Sequence, residues 1–238
     1  MFSGSVSFLP VAALAATLTV ALPANAQYQS SSGMYFHSAG AAYMNTLSWS
    51  TMSRSPEMSK AMNEAEARVN GHTGSQGSAP AASANPLTAA FAASNFQPVP
   101  EERAKVIDLL LSSVPAGAAR DRQRARIEVL SAAVENAAGR KYNLAEATYL
   151  LIGVSLQTAT GRPMENARAQ ELVRAIASAY AGDSGFQRLD NRRRSQMYYL
   201  YTAIIALTGG LGASKEPAEV HAAKTLAQNT LREMGIRQ

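Results

Sequence analysis

The chain has 238 residues, no cysteine, three histidines and a formal net charge of +5. Without a thiol it cannot use cysteine nucleophiles, zinc–thiolate sites or iron–sulfur clusters. His37, His72 and His221 lie too far apart in sequence to make an H-E-x-x-H type pair, so no metal ligand set is expected.

The apolar run from about Phe8 to Leu22 is interrupted by Pro10 and closed by Pro23. It is shorter than the roughly 20 apolar residues of a spanning helix. It leads into Ala24-Asn25-Ala26, the small-x-small pattern that signal peptidase cuts. The sequence therefore predicts a signal peptide over residues 1–26, cleavage after Ala26, and export to the periplasm or medium of a bacterium. One feature departs from the usual pattern: no Lys or Arg precedes the apolar core.

Residues 27–97 read as an arm and linker. Gln27 to Gly33 is polar and of low complexity, and Gly71 to Asn85 is rich in Gly, Ser, Ala and Pro. Between them one helix is predicted over 56–69. Ser55 caps it, Pro56 takes its first position and Asn70-Gly71 stops it. Met34, Tyr35, Phe36, Tyr43, Met44, Leu47 and Trp49 gather large apolar groups ahead of any clear core. They either pack on the following domain or dock on a partner. Arg54, Lys60 and Arg68 balance Glu57, Glu64 and Glu66, so the excess positive charge belongs to residues 98–238.

From Phe96 the apolar residues take on helical spacing. The predicted helices run from about Pro100 to Val114, Ala119 to Ala138, Leu144 to Thr160, Met164 to Ala181, Asp190 to Thr208 and Pro217 to Met234. Asn143 is a good cap for the third, and Gly161 with Pro163 a strong stop. That helix is apolar on nearly every side, as in a helix buried at the centre of a bundle. Gly209-Gly210-Leu211-Gly212 is expected to end the fifth, and Gly182 and Gly185 to bracket a turn. The fold class is all-α, an irregular bundle of about six helices over residues 98–238. A domain near 150 residues buries roughly 68–70% of its unfolded surface, enough to hold without disulfides or metal. No fixed period recurs, so this is not a solenoid.

Four groups of residues bear on function. Arg192, Arg193 and Arg194 open the fifth helix, where cations oppose the helix dipole. They would make an anion or partner site together with free amides, or be neutralised by Asp190 and nearby carboxylates. Arg120, Arg122, Arg124 and Arg126 interleave with Asp121 and Glu128 and read as a solvated face. Tyr198, Tyr199 and Tyr201 read as core and helix interface. Glu146, one turn into the apolar helix, is either a general acid with a raised pKa or a first-turn carboxylate stabilised by the helix end. No Ser/His/Asp set, G-x-S-x-G elbow or phosphate-cradling loop is present. No catalytic residue is therefore assigned, and no cofactor.

Asn143-Leu144-Ala145 opening a long apolar helix, Gly161-Arg162-Pro163 ending it, and Gln196-Met197-Tyr198-Tyr199 further on make a recognisable combination. The stretch from about Phe96 to Ile236 resembles a family of uncharacterised exported bacterial helical domains. The resemblance implies an exported all-α domain and no particular catalytic residue. The function expected is that of a non-enzymatic binding module of the cell envelope. Its partner would be an envelope protein or an anionic cell-wall component; nucleic acid is not expected. The alternatives are a hydrolase of envelope polymers working through carboxylates, and a carrier of a small apolar ligand.

Overall fold

The computed structural model describes residues 86–236. The predicted signal peptide over 1–26, the predicted helix over 56–69 and the apolar cluster from Met34 to Trp49 lie outside the described residues. Within them are α1 (Pro86–Ala93), α2 (Glu101–Leu110), α3 (Ala118–Ala137), α4 (Leu144–Thr160), α5 (Asn166–Gly182), α6 (Ser184–Gln187), α7 (Asn191–Gly212) and α8 (Pro217–Glu233). The described residues contain no strand, only an isolated bridge between Asn95 and Asn143. None of their helices is long and apolar enough to cross a membrane.

The centre is made by α4 and α7. α7 packs against α2, α3, α4 and α8, and α4 also packs against α5 and α8. α1 and α6 pack on α5. The sequence explains this placement: α4 buries residues on every side from Leu144 to Ser155, and α7 does so from Met197 to Thr208. Helices apolar all round have no face to give to water, so they take the middle.

α4 has the bounds expected of it. The Asn143 side chain accepts from the Glu146 N–H, and Gly161 closes the helix in the left-handed region at φ 73°. α8 stops at a Schellman turn. The Ile236 N–H reaches Leu231 O at 2.9 Å and the Gly235 N–H reaches Arg232 O at 3.0 Å, with Gly235 at φ 74°.

α7 departs from expectation, because the glycine run does not end it. The helix continues through Gly209, Gly210 and Leu211 to Gly212. The reason is packing. A Cβ on Gly210 would stand 2.8 Å from Leu130 Cδ1, and one on Gly212 would meet Thr158 and Ala223 at 3.6 and 3.7 Å. Gly210 lets α3 approach, which offsets the roughly 1 kcal/mol that a glycine costs a helix relative to Ala, whereas the contacts at Gly212 would be ordinary ones.

Two helices were not anticipated. α1 falls within the segment that composition reads as arm, yet Phe91 is buried against the core. α6 is one turn, capped by Asp183 Oδ1 on the Phe186 N–H at 2.9 Å, where a bare turn was expected. α2 also stops earlier than predicted; Leu111 and Val114 are buried from the turns that follow it.

The interior is not wholly apolar. Thr148 Oγ1 and the Tyr180 hydroxyl lie within hydrogen-bond distance, 2.8 Å apart. Burial pushes the Tyr180 hydroxyl up to about 12, so it stays protonated. The three tyrosines of α7 are buried, as expected for core residues.

Candidate functional site

The densest polar chemistry surrounds the strap that joins α1 to α2, residues 94–99. Its backbone runs outside helices, so its N–H and C=O groups need partners. Neighbouring backbone supplies most of them, and three side chains of α7, Asn191, Arg194 and Ser195, supply others.

Asn143 is fully buried. Its Oδ1 accepts the Glu146 N–H at 2.9 Å, and its Nδ2 lies 2.9 Å from Phe91 O, 3.1 Å from Ser94 Oγ and 2.7 Å from Asn95 Oδ1. One residue thus caps α4 and holds the end of α1. Beside it, the Leu144 N–H donates to Ser94 O and the Phe96 N–H to Tyr142 O. Tyr142 takes φ 56°, a region disfavoured for a bulky side chain. Its ring packs against Phe96 and Tyr198, with centroids 6.1 and 5.7 Å away, and the bridge to the strap holds its backbone there.

Arg194 reaches the strap from α7. Its Nε donates to Leu189 O at 3.1 Å, Nη1 to Ala93 O at 3.3 Å and Asn95 O at 3.0 Å, and Nη2 to Phe186 O at 3.3 Å and Gln187 O at 3.4 Å. All five donors of the guanidinium fork are used. The carbonyls belong to or follow the C-terminal ends of α1 and α6, where a cation is favoured. The Arg194 Cζ also sits 4.5 Å from the Phe186 ring centroid, and burial pulls the guanidinium pKa below its ordinary value. The strap is further held where the Gln97 N–H donates to Asn191 Oδ1 and the Val99 N–H to Ser195 Oγ.

Glu146 ends at the same place. Its Oε1 accepts the Gly139 N–H at 2.6 Å and its Oε2 lies 3.4 Å from Arg140 Nη1. Arg140 in turn stacks 4.1 Å from the Phe91 ring centroid. The carboxylate therefore closes the loop before α4 and secures α1 through Arg140.

The three consecutive arginines point to three different places, because neighbours on a helix are about 100° apart. Arg194 turns inward. Arg193 is exposed and donates to Gln196 Oε1. Arg192 places Nε 3.7 Å from Glu102 Oε1. The free amide expected for an anion is occupied, since the Arg193 N–H donates to Asp190 Oδ1 at 2.8 Å.

Glu102, on α2, is a buried hub that sequence reasoning did not single out. Its carboxylate accepts from Lys105 Nζ at 2.6 Å and Gln196 Nε2 at 2.7 Å. The Lys105 hydrogen bond holds its pKa below the usual carboxylate value, against the opposing effect of burial. Next to it, Arg103 Nη2 lies 2.5 Å from both Glu135 oxygens and its Cζ is 4.9 Å from the Tyr199 centroid. Burial is the largest influence on Arg103 and works to lower it, but the charge and hydrogen bond of Glu135, with Tyr199 and Tyr142, together outweigh it and the guanidinium pKa stands above its ordinary value. Three buried carboxylates are thus matched to cations: Glu102 to Lys105, Glu135 to Arg103, Glu146 to Arg140. Among the described residues no group of three or more His, Asp or Glu side chains could hold a metal.

On α3, Arg120 and Arg124 share Asp108, Arg124 also lies 3.9 Å from Glu128, and Arg126 pairs with Glu219 at 3.3 Å. This is the solvated, mutually neutralised face that their spacing predicts.

A family of unknown function (DUF6683) matches residues 9–238, and the chain belongs to it. The match includes the arm and part of the leading apolar segment as well as the helical domain. No curated protein and no solved structure matches the chain.

Proposed function

We propose that this is a non-enzymatic interaction module, exported to the bacterial envelope, whose helical domain anchors an N-terminal arm that engages the partner. The observation that carries this reading is the use of the polar groups. Arg194, Asn143 and Glu146, which carry the chemistry a ligand site would want, are committed to the strap and α1, the point where the arm joins the domain. Every donor of Arg194 goes to a carbonyl, so its chemistry is spent on holding a backbone.

Three further features support the reading. The Ala24-Asn25-Ala26 pattern suits export. Met34 to Trp49 concentrates apolar and aromatic groups of the kind that anchor interfaces. The family match spans this arm along with the domain. The hydrolase alternative would need Glu146 opposite a second carboxylate; its two oxygens instead meet a backbone amide and a guanidinium.

Replacing Tyr35, Phe36 and Trp49 together by Ser in the full chain tests the reading. Capture of the envelope partner is expected to fall at least about tenfold, a loss on the scale of interface hot spots, with the melting temperature unchanged. Undiminished capture would overturn it.

A further inference from the structure

We infer that the exposed ridge of α8 is a docking surface for a linear polyanion. His221, Lys224, Gln228 and Arg232 are all exposed. At about 100° per residue they fall within an arc of about 80°, and at about 1.5 Å per residue they span about 16 Å. Lys215 is also exposed, just before the helix.

The carboxylates of α8 are kept off this ridge. Glu219 is half-buried and paired with Arg126 of α3 at 3.3 Å, and Glu233 is half-buried and engaged. Glu216 is exposed at the N-cap. The contrast with α3 is direct, since Arg120 and Arg124 there converge on Asp108. The orientation of the ridge is fixed, because Ala223 and Thr230 are buried across the helix from it, Ala227 and Leu231 are buried along its flank, and α8 packs against α4 and α7. Arg232 also donates to Asn229, which steadies it along the helix.

The ridge selects its occupant by what it lacks as well as by charge. Its one ring is the imidazole of His221, and it carries no Phe, Tyr or Trp on which successive bases could stack and no large apolar side chain to enter a bilayer. Spaced cations on a rigid rod suit a flexible chain of regularly spaced anionic groups, held by counterion release. This surface is separate from the arm, and the inference does not depend on how the arm works.

The test is equilibrium binding of the full chain to labelled long-chain inorganic polyphosphate across a sodium chloride series. For K224Q/R232Q, affinity at low salt is expected to drop about tenfold. The slope of log K against log salt should flatten by about 1.4, about 0.7 for each lost cation on a single-stranded polyanion. The charge-conserving K224R/R232K should bind as the parent does. R122Q, which removes an exposed arginine of α3, should stay within about twofold of the parent. The inference is overturned if K224Q/R232Q binds like the parent, or if R122Q weakens binding as much. It is equally overturned if phosphatidylglycerol vesicles are bound and polyphosphate is not. The substituted residues are exposed, and unchanged melting curves confirm that the variants are folded.

Discussion

Arg194→Ala is the sharpest probe of the strap. It removes all five donors at once and leaves the carbonyls of Ala93, Asn95, Phe186, Gln187 and Leu189 without them. A hydrogen bond to a charged group contributes about 1.5–3 kcal/mol. Only the bonds to Leu189 and Asn95 are near ideal length, at 3.1 and 3.0 Å. Those two alone suggest about 3–6 kcal/mol, but water can replace part of the loss because the strap's outer side is exposed. The net expectation is about 2–4 kcal/mol. At about 2–4 °C per kcal/mol for a chain of this size, the melting temperature falls by about 4–16 °C. Urea titration and thermal melting of the full chain measure it. Amide exchange over residues 94–99 should accelerate more than exchange in α3. Arg194→Lys keeps the charge but has three donors instead of a five-donor fork, so it should recover less than half of the loss. A change below about 0.5 kcal/mol for Arg194→Ala, the usual range for surface substitutions, would refute the reasoning.

Other outcomes follow from the same contacts. Glu102→Gln should flatten the acid side of the stability curve: the lowered native pKa makes the carboxylate stabilising above its ordinary 4.5, and that contribution is lost as pH falls through the lower native value. Urea midpoints from about pH 6 to 3 measure the difference. Gly210→Ala should destabilise by about 1–3 kcal/mol through the clash with Leu130. In a Leu130→Val background the cost should shrink or change sign, since the better helix residue is then accommodated; a double-mutant cycle reads the coupling. Asn143→Ala should cost about 2–4 kcal/mol, because it removes the α4 cap and the Nδ2 contacts with Phe91 O, Ser94 Oγ and Asn95 Oδ1; equilibrium unfolding checks this.

The helices that could be read from the sequence are those whose ends carry local signals. α4 is bounded by Asn143 and Gly161, whose chemistry acts within a few residues, so both its limits were legible. The end of α7 was not, because the choice between a glycine stop and a close-packed glycine lies with Leu130 on another helix. α1 was missed because Pro-Leu-Thr-Ala-Ala-Phe-Ala-Ala is short and mostly small residues, although its Phe91 is buried. At the candidate site, the N-x-x-E spacing of Asn143 and Glu146 was a visible capping pattern. Arg194 stood out as a cation at the wrong end of a helix. What it does there depends on Ala93 and Asn95, about a hundred positions away, and no local pattern encodes that pairing. Glu102 was equally opaque: its first-turn position was plain, while its burial comes from Gln196 and Arg192.

The most direct test of the account is parallel capture from a bacterial envelope fraction with two chains, one starting at Gln27 and one at Pro86. The second starting point keeps α1 and the strap intact. A partner retained by the longer chain and lost from the shorter is the predicted result. Equal retention by both would contradict the claim and place binding on the helical domain itself.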